Sequence, residues 1–372
     1  MKKTLILAAV SATFASASYA QSSVTLYGVV DAGFTYTTNI NGNNNFAITS
    51  GNVQNSRWGL RGMEDLGGGL KAIFNLESGF DVSNGSLNNS SSMFNRMAYV
   101  GLSHPEYGTL TLGRQFDSVV DYVGPLMAVG TWGGTYTAHV LDNDNGNATF
   151  SINNSVKYAS PNYDGFEFGG LYGFSNKAGG FADNRTYSFG ASYKYDGLQI
   201  GAAWLQAQGM DFNGAGSVQG SPLAMFNLNH RQRVWGAGAS YTYGPLVGGV
   251  VFTQTRINDV GSNSLRFNNI EGNLRYNLTP ALGIGAMYTY TNANGSDTVL
   301  NTNGSRSAHW HQFALQADYS LSKRTDVYLE GVGLWGSGEN AVGMTQIGST
   351  SSGGLSSSKN QGIITTGIRH RF

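Results

Sequence analysis

Few residue patterns in this 372-residue chain could do chemistry, and most of those that could are incomplete. Cysteine is absent, which removes thiol nucleophiles, disulfides and thiolate metal sites. His309 and His311 share one strand parity, but no carboxylate stands at ligand spacing; His104, His139, His230 and His370 are scattered. Gly67-Gly-Gly69 lacks the lysine and the helix of a phosphate loop. No Ser/His/Asp arrangement assembles, so neither enzyme activity, nor a cofactor, nor a metal is implied. What remains is fixed charge: Arg57, Arg61, Lys71, Arg96 and Lys157 on one side, and Asp117, Asp121, Asp142 and Asp144 on the other. Opposed charges across a low-dielectric passage create a transverse field, which orients dipolar solutes and biases ion selectivity.

Strands must position those charges. In residues 186–195, Tyr187, Phe189, Ala191, Tyr193 and Tyr195 fall on one parity, and Ser188, Gly190, Ser192 and Lys194 on the other. Successive strand side chains point to opposite faces, so this segment has an apolar and a wet face. Its length suits a tilted strand crossing a membrane. Alternation and turn residues mark about sixteen such segments. The first covers residues 24–36, with Val24, Leu26, Val30, Ala32, Phe34 and Tyr36 outward and Asp31 inward. Residues 56–64, 70–80, 94–102 and 109–116 follow. Parity turns Arg57 and Arg61 inward against outward Trp58 and Leu60, and Lys71, Asn75 and Glu77 inward against Ala72, Phe74 and Leu76. Lys157 is inward between Val156 and Tyr158, and Arg96 lies in the fourth segment. Arg114 shares parity with Leu110 and Leu112 and points outward, where an arginine is expensive unless a partner receives it.

Short connections, such as 65–68, 195–197 and 243–245, oppose long polar ones at 38–53, 81–92, 117–153, 206–231, 292–307 and 337–359. Short turns on one rim and long loops on the other describe an outer-membrane barrel. Charged residues are 12% of the chain, about half the share usual in a soluble domain, and no later run approaches the ~20 apolar residues of a transmembrane helix. Lys2, Lys3, an apolar run and Ser18-Tyr19-Ala20 make residues 1–20 a signal peptide. Removing it leaves a slight acidic excess, which suggests no nucleic-acid partner. Residues 21–372 are then one barrel domain.

Val24-Thr-Leu-Tyr-Gly-Val-Val-Asp31, the run from Ser56-Arg-Trp-Gly-Leu-Arg-Gly-Met-Glu-Asp65 to Leu70, Gly108-Thr-Leu-Thr-Leu-Gly-Arg-Gln115, Asn154-Ser-Val-Lys-Tyr158 and Gly367-Ile-Arg-His-Arg-Phe372 resemble, in this order, the Gram-negative general porins of the β-proteobacterial type. The resemblance implies a 16-stranded antiparallel transmembrane β-barrel with an inward-folded third extracellular loop, assembled as a homotrimer in the outer membrane. It places residues 117–153 as the constriction loop, so that Asp117, Asp121, Asp142 and Asp144 face the basic ladder of Arg57, Arg61, Lys71, Arg96 and Lys157. It makes Arg96 the pore arginine and Phe372 the signal read by the outer-membrane assembly machinery. It gives Arg114 a trimer contact, with Asp81 the nearest acidic candidate; lipopolysaccharide phosphate is the other partner open to that arginine. Ser151 stands where many relatives carry a basic residue, which weakens the expected anion preference. The expected function is passive diffusion of ions and small hydrophilic solutes; a substrate-selective channel is the alternative.

Overall fold

The computed structural model describes residues 23–88, 92–209, 217–218, 231–258, 264–295, 307–338, 341–348 and 354–372. The expected signal peptide lies outside these residues. The chain builds β1 (Ser23–Ile40), β2 (Asn43–Ser50), β3 (Arg57–Gly67), β4 (Leu70–Gly79), β5 (Met97–His104) and β6 (Gly108–Gln115). A short helix α1 (Ser118–Tyr122) opens the longest connection, which ends at β7 (Ile152–Ala159). Then come β8 (Phe166–Gly173), β9 (Thr186–Tyr195), β10 (Leu198–Gln208), β11 (Arg231–Tyr243) and β12 (Leu246–Asn258). The last are β13 (Ser264–Asn277), β14 (Leu282–Gly295), β15 (Ser307–Ser320), β16 (Thr325–Ser337) and β17 (Asn360–Arg371).

From β3 to β17 each strand pairs antiparallel with the next, and β17 pairs with β1 through Val29↔Arg371 to Thr37↔Ile363. The other edge of β1 is shared: Ser23–Val29 pair with β3, and Ala32–Ile40 with β2. β2 and β3 therefore form one stave, and the sheet closes as a sixteen-stave barrel with no free edge. The period-2 pattern is inverted relative to a soluble sheet. Val24 and Leu315 are each 65% exposed on the apolar outer face, whereas Thr253, Asn269 and Glu271 are fully buried on the polar inner one. β11 to β16 have 13 or 14 residues, more than the ~9–11 that cross a bilayer, so their upper ends stand above the apolar band.

The structure corrects three readings of the sequence. The segment 38–53, read as a polar loop, is a continuation of β1 and the strand β2. Asn41 and Gly42 have positive φ (49° and 92°), the two-residue geometry that matches the twist of a hairpin. One long-rim connection, 174–185, carries aromatics and is not marked as a loop by its composition. Arg96 does not lie in a strand: it immediately precedes β5, although its N–H still donates to Glu77 O.

Candidate functional site

Asp117 starts the long loop as the N-cap of α1, its Oδ1 accepting from Val119 N at 2.7 Å. The helix lies on the inner face of β9 and β10, where Ser118 N donates to Ser188 Oγ and Gly201 admits the chain. A Cβ at Gly201 would sit 2.1 Å from Tyr122 O, so no larger residue fits. Beyond the helix the loop follows the polar parity of the wall. Asn273 Nδ2 (β13) donates to Leu126 O, Ala128 N donates to Glu271 Oε1 (β13) at 2.7 Å, and Gln312 Nε2 (β15) donates to Tyr136 O. Apolar contacts reinforce this path: Val119, Leu126, Met127 and Leu141 are fully buried, each contributing on the order of 1.5–3 kcal/mol.

The loop is fastened at two places. At its tip, Thr135 N donates to Asn52 O, Thr135 Oγ1 to Gly51 O and Tyr136 OH to Asn52 Oδ1. Gly134, at φ 65°, approaches so closely that a Cβ would lie 2.3 Å from Val53 Cα. The receiving segment between β2 and β3 is held in turn by Asp31, whose Oδ2 accepts from Val53 N and Gln54 N and whose Oδ1 accepts from Tyr328 OH at 2.6 Å. The second fastening is a buried ionic cluster. His139 Nδ1 lies 2.6 Å from Asp144 Oδ2, His139 Nε2 lies 3.1 Å from Glu271 Oε2, and Thr253 Oγ1 donates to Asp144 Oδ2 at 2.5 Å. Burial alone would lower the His139 pKa; the two carboxylates outweigh it and hold the imidazole up to about 10. The same imidazolium outweighs desolvation at Asp144 and keeps its carboxyl low. Asp142, with Thr149 Oγ1 and Asn147 N as its donors, is pushed up by burial and by Asp144 to about 7.

The expected acidic face is therefore redistributed. Asp117, Asp142 and Asp144 are at most 1% exposed and spend their oxygens inside the loop and on the wall behind it. They fasten the loop and do not face the basic ladder, because buried carboxylates are stable only with donors around them. Asp121 does face it, 2.5 Å from Lys157 Nζ. Opposite, Arg57 Nε and Arg96 Nε converge on Glu77, at 3.4 and 2.6 Å, and Tyr27 OH donates to the same carboxylate. Arg61, exposed, lies over the Tyr27 ring, and Arg96 over Phe116. Two guanidiniums on one carboxylate leave one net positive charge, with Arg61 adding a second. Lys71 is remote from this group. Arg57 is level with Gly79 and Lys71 with Asp65, so the two are roughly 27 Å apart along the strand at ~3.4 Å per residue. Inward parity is shared along the whole strand, so parity alone could not separate rim from middle.

His139 carried no local signal: its partner Glu271 is 132 positions away. A second charge group near the short-turn rim also went unnoticed. Arg369 bridges Asp318 and Asp326 at 3.1 and 2.9 Å, and Arg371 reaches Asp326 at 2.7 Å.

The sequence profile described as Gram-negative porin matches residues 7–332. The chain belongs to that family. This porin is 30% identical to outer membrane porin protein 32 of Delftia acidovorans over the full length of both chains. It is 35% identical to an outer membrane porin protein of Bordetella pertussis over 65% of its own chain and 66% of the relative's. The anion-selective porin from Comamonas acidovorans has a similar fold, with TM-score 0.75 and 24% identity over 94% of this porin and 100% of that chain. The trimer form of OmpT from Vibrio cholerae also shares it, with TM-score 0.66 and 16% identity over 94% and 99%. This porin is thus a multi-pass β-barrel of the outer membrane and a channel, not an enzyme.

Two further residues of the porin fall into place. Arg114 keeps the outward parity, but its guanidinium folds back: Nε and Nη2 donate to Asn95 O at 2.9 and 2.7 Å, and Nη1 to Asn153 Oδ1. Asp81 does not meet it; that carboxylate accepts from Ser83 N and Oγ in its own turn. Phe372 extends the seam, exchanging backbone hydrogen bonds with Gly28 in both directions at 3.1 Å, with its ring against the Gly28 Cα.

Proposed function

We propose that this porin is a homotrimeric, water-filled channel for passive diffusion of ions and small hydrophilic solutes. It is narrowed where residues 117–153 fold into the lumen opposite Arg57, Arg61 and Arg96, with Lys157 and Asp121 at the side. The observation that carries this reading is the set of loop hydrogen bonds to the polar parity of β13 and β15, which leaves the face of β3 to β7 free to line a passage. The net positive charge of that face favours anions, the preference of the anion-selective porin from Comamonas acidovorans. The trimer is supported by the OmpT trimer form and by an asymmetry of the wall. β8 to β15 expose Phe166, Tyr193, Tyr195, Tyr241, Tyr243, Tyr276 and Tyr319, the girdle of a lipid-facing arc. β5, β6 and β17 expose aliphatics, Val100, Leu102, Leu110, Leu112, Ile364 and Ile368, suited to a sister subunit; Arg114 lies on that arc. Planar-bilayer recording is expected to show conductance steps closing in groups of three, with a reversal potential of anionic sign in a KCl gradient. A silent bilayer sinks the channel reading, and single steps sink the trimer.

Phe372 is proposed to serve the outer-membrane assembly machinery as well as the seam. Deleting it is expected to lower the yield of heat-resistant trimer in outer-membrane fractions several-fold, while Phe372→Tyr retains most of it. Normal yield for the deletion contradicts both roles.

A further inference from the structure

Above the constriction loop the inner wall changes character. Lower down, its inward parity is polar, with Thr253, Asn269 and Glu271. Towards the long-loop rim the same parity of β13 to β17 turns apolar: Leu265, Phe267, Ala308, Trp310, Leu334 and Ile363 are at most 2% exposed. The bilayer does not demand this, because these side chains point into the lumen. An apolar face turned to a water-filled passage is unfavourable in proportion to its area, so this one needs a cover.

The chain supplies it from the connection between β16 and β17. Ala341, Met344 and Ile347 belong to the apolar cluster of that wall, and so do Val140 and Leu141 of the constriction loop. Trp310 Nε1 (β15) donates to Thr345 Oγ1 at 3.0 Å, and Thr345 Oγ1 donates to Ala341 O at 2.9 Å. Ile347 N donates to Gln361 Oε1 (β17) at 2.7 Å, and Ser356 N to Thr345 O at 2.9 Å. Gly336 (β16) lets the segment approach: a Cβ there would lie 2.9 Å from Ala341 Cβ. Two residues below Trp310 on the same inward row, Gln312 holds Tyr136 O of the constriction loop. Two loops are thus stacked on one side of the lumen, roughly 7 Å apart along β15. The upper one, Ala341-Val-Gly-Met-Thr-Gln-Ile-Gly348, carries no charge, and Val342 is 47% exposed on its free side.

We propose that residues 341–348 are a second, uncharged size filter of the channel, set above the constriction loop. They fill the mouth over β15 to β17 and confine entry to the face of β3 to β7, which the constriction loop also leaves free. Solute size is read twice on the way in, and charge once, at Arg57, Arg61 and Arg96. The proposal rests on the channel reading given above.

The test uses the chain's lack of cysteine. In the full-length protein an impermeant thiosulfonate is expected to modify Val342→Cys readily, and Leu334→Cys, behind the segment, at least tenfold more slowly. Deleting residues 341–348 is expected to expose Leu334→Cys and to raise the conductance of each step. Liposome swelling should then speed up severalfold for trisaccharides relative to pentoses, with the reversal potential in a KCl gradient unchanged. M344N/I347N, which keeps the length of the loop and adds no charge, is expected to act in the same direction. Leu334→Cys reacting as fast as Val342→Cys in the otherwise native chain overturns the cover. A native swelling ratio in either variant, once its Leu334→Cys has become reactive, overturns the filter. A reversal potential that shifts with the deletion assigns the effect to the constriction loop and overturns it as well. A silent bilayer sinks the channel reading instead, and the cysteine rates are read without it.

Discussion

Replacing Arg57 and Arg96 by serine together is expected to abolish the anion preference of the channel. In the native protein Glu77 receives both guanidiniums and the group keeps one positive charge. Without them, the carboxylate held by Tyr27 OH remains and cancels Arg61, so the face loses its net positive charge. For an ion passing at ~6 Å, each charge is worth about 0.7 kcal/mol in water, so losing two changes the partition of either ion by about tenfold before screening. The reversal potential in a 0.1 M gradient should move from anionic toward zero. At 1 M, where the Debye length falls to about 3 Å, most of the shift should vanish. Arg57→Ser/Arg96→Ser/Glu77→Gln separates charge from shape, because it removes the carboxylate too, leaves Arg61 uncancelled and should restore a weak anion preference. An unchanged reversal potential in the first variant would remove these arginines from the ion path.

His139→Ala is expected to release the long loop from the wall. Asp144 and Glu271, at most 1% exposed, would then be two buried carboxylates with no cation between them. Breaking a buried pair in this way costs about 3–5 kcal/mol, enough to open a loop held elsewhere mainly by neutral hydrogen bonds. Larger and noisier open-channel currents should follow, with new protease cleavage within residues 117–153. Alkali should reproduce the effect in the native chain. The imidazole's pKa is raised from its ordinary 6.5 to about 10 in the folded state. Its stabilisation is therefore complete below about 6.5 and is lost as pH rises through about 10. Quiet, native-sized currents from His139→Ala at pH 7 would show that the cluster does not hold the loop.

How much of this was legible differs by the range of the interaction. The barrel was written in side-chain alternation, which survives in residues such as Tyr187, Phe189 and Tyr193 because the bilayer demands it strand by strand. Inward parity also marks Arg57, Arg61, Lys157 and Glu77 in the sequence. Parity is silent about height, so Lys71 was grouped with arginines far above it. It is also silent about what faces a charge. Asp117, Asp142 and Asp144 look like pore acids in the sequence, but their donors Asn145, Thr149 and Thr253 decide otherwise once the loop is folded. His139 and Glu271, or Asp31 and Tyr328, carry no spacing that links them. The hairpin at Asn41-Gly42 was legible and was missed because its polar composition outweighed its turn chemistry.

The seam between β1 and β17 has a kinetic consequence. Thr35 and Thr365 meet there across 330 positions of chain. Closing so long a loop costs roughly 5 kcal/mol of chain entropy against about 1 for a hairpin of a few residues. Neighbouring strands therefore zip first and the seam is made last. Until it is made, every partly assembled molecule carries two raw strand edges that could pair with another chain as readily as with each other. The hazardous interval of this protein's life is the wait for the seam between its two extremities to form.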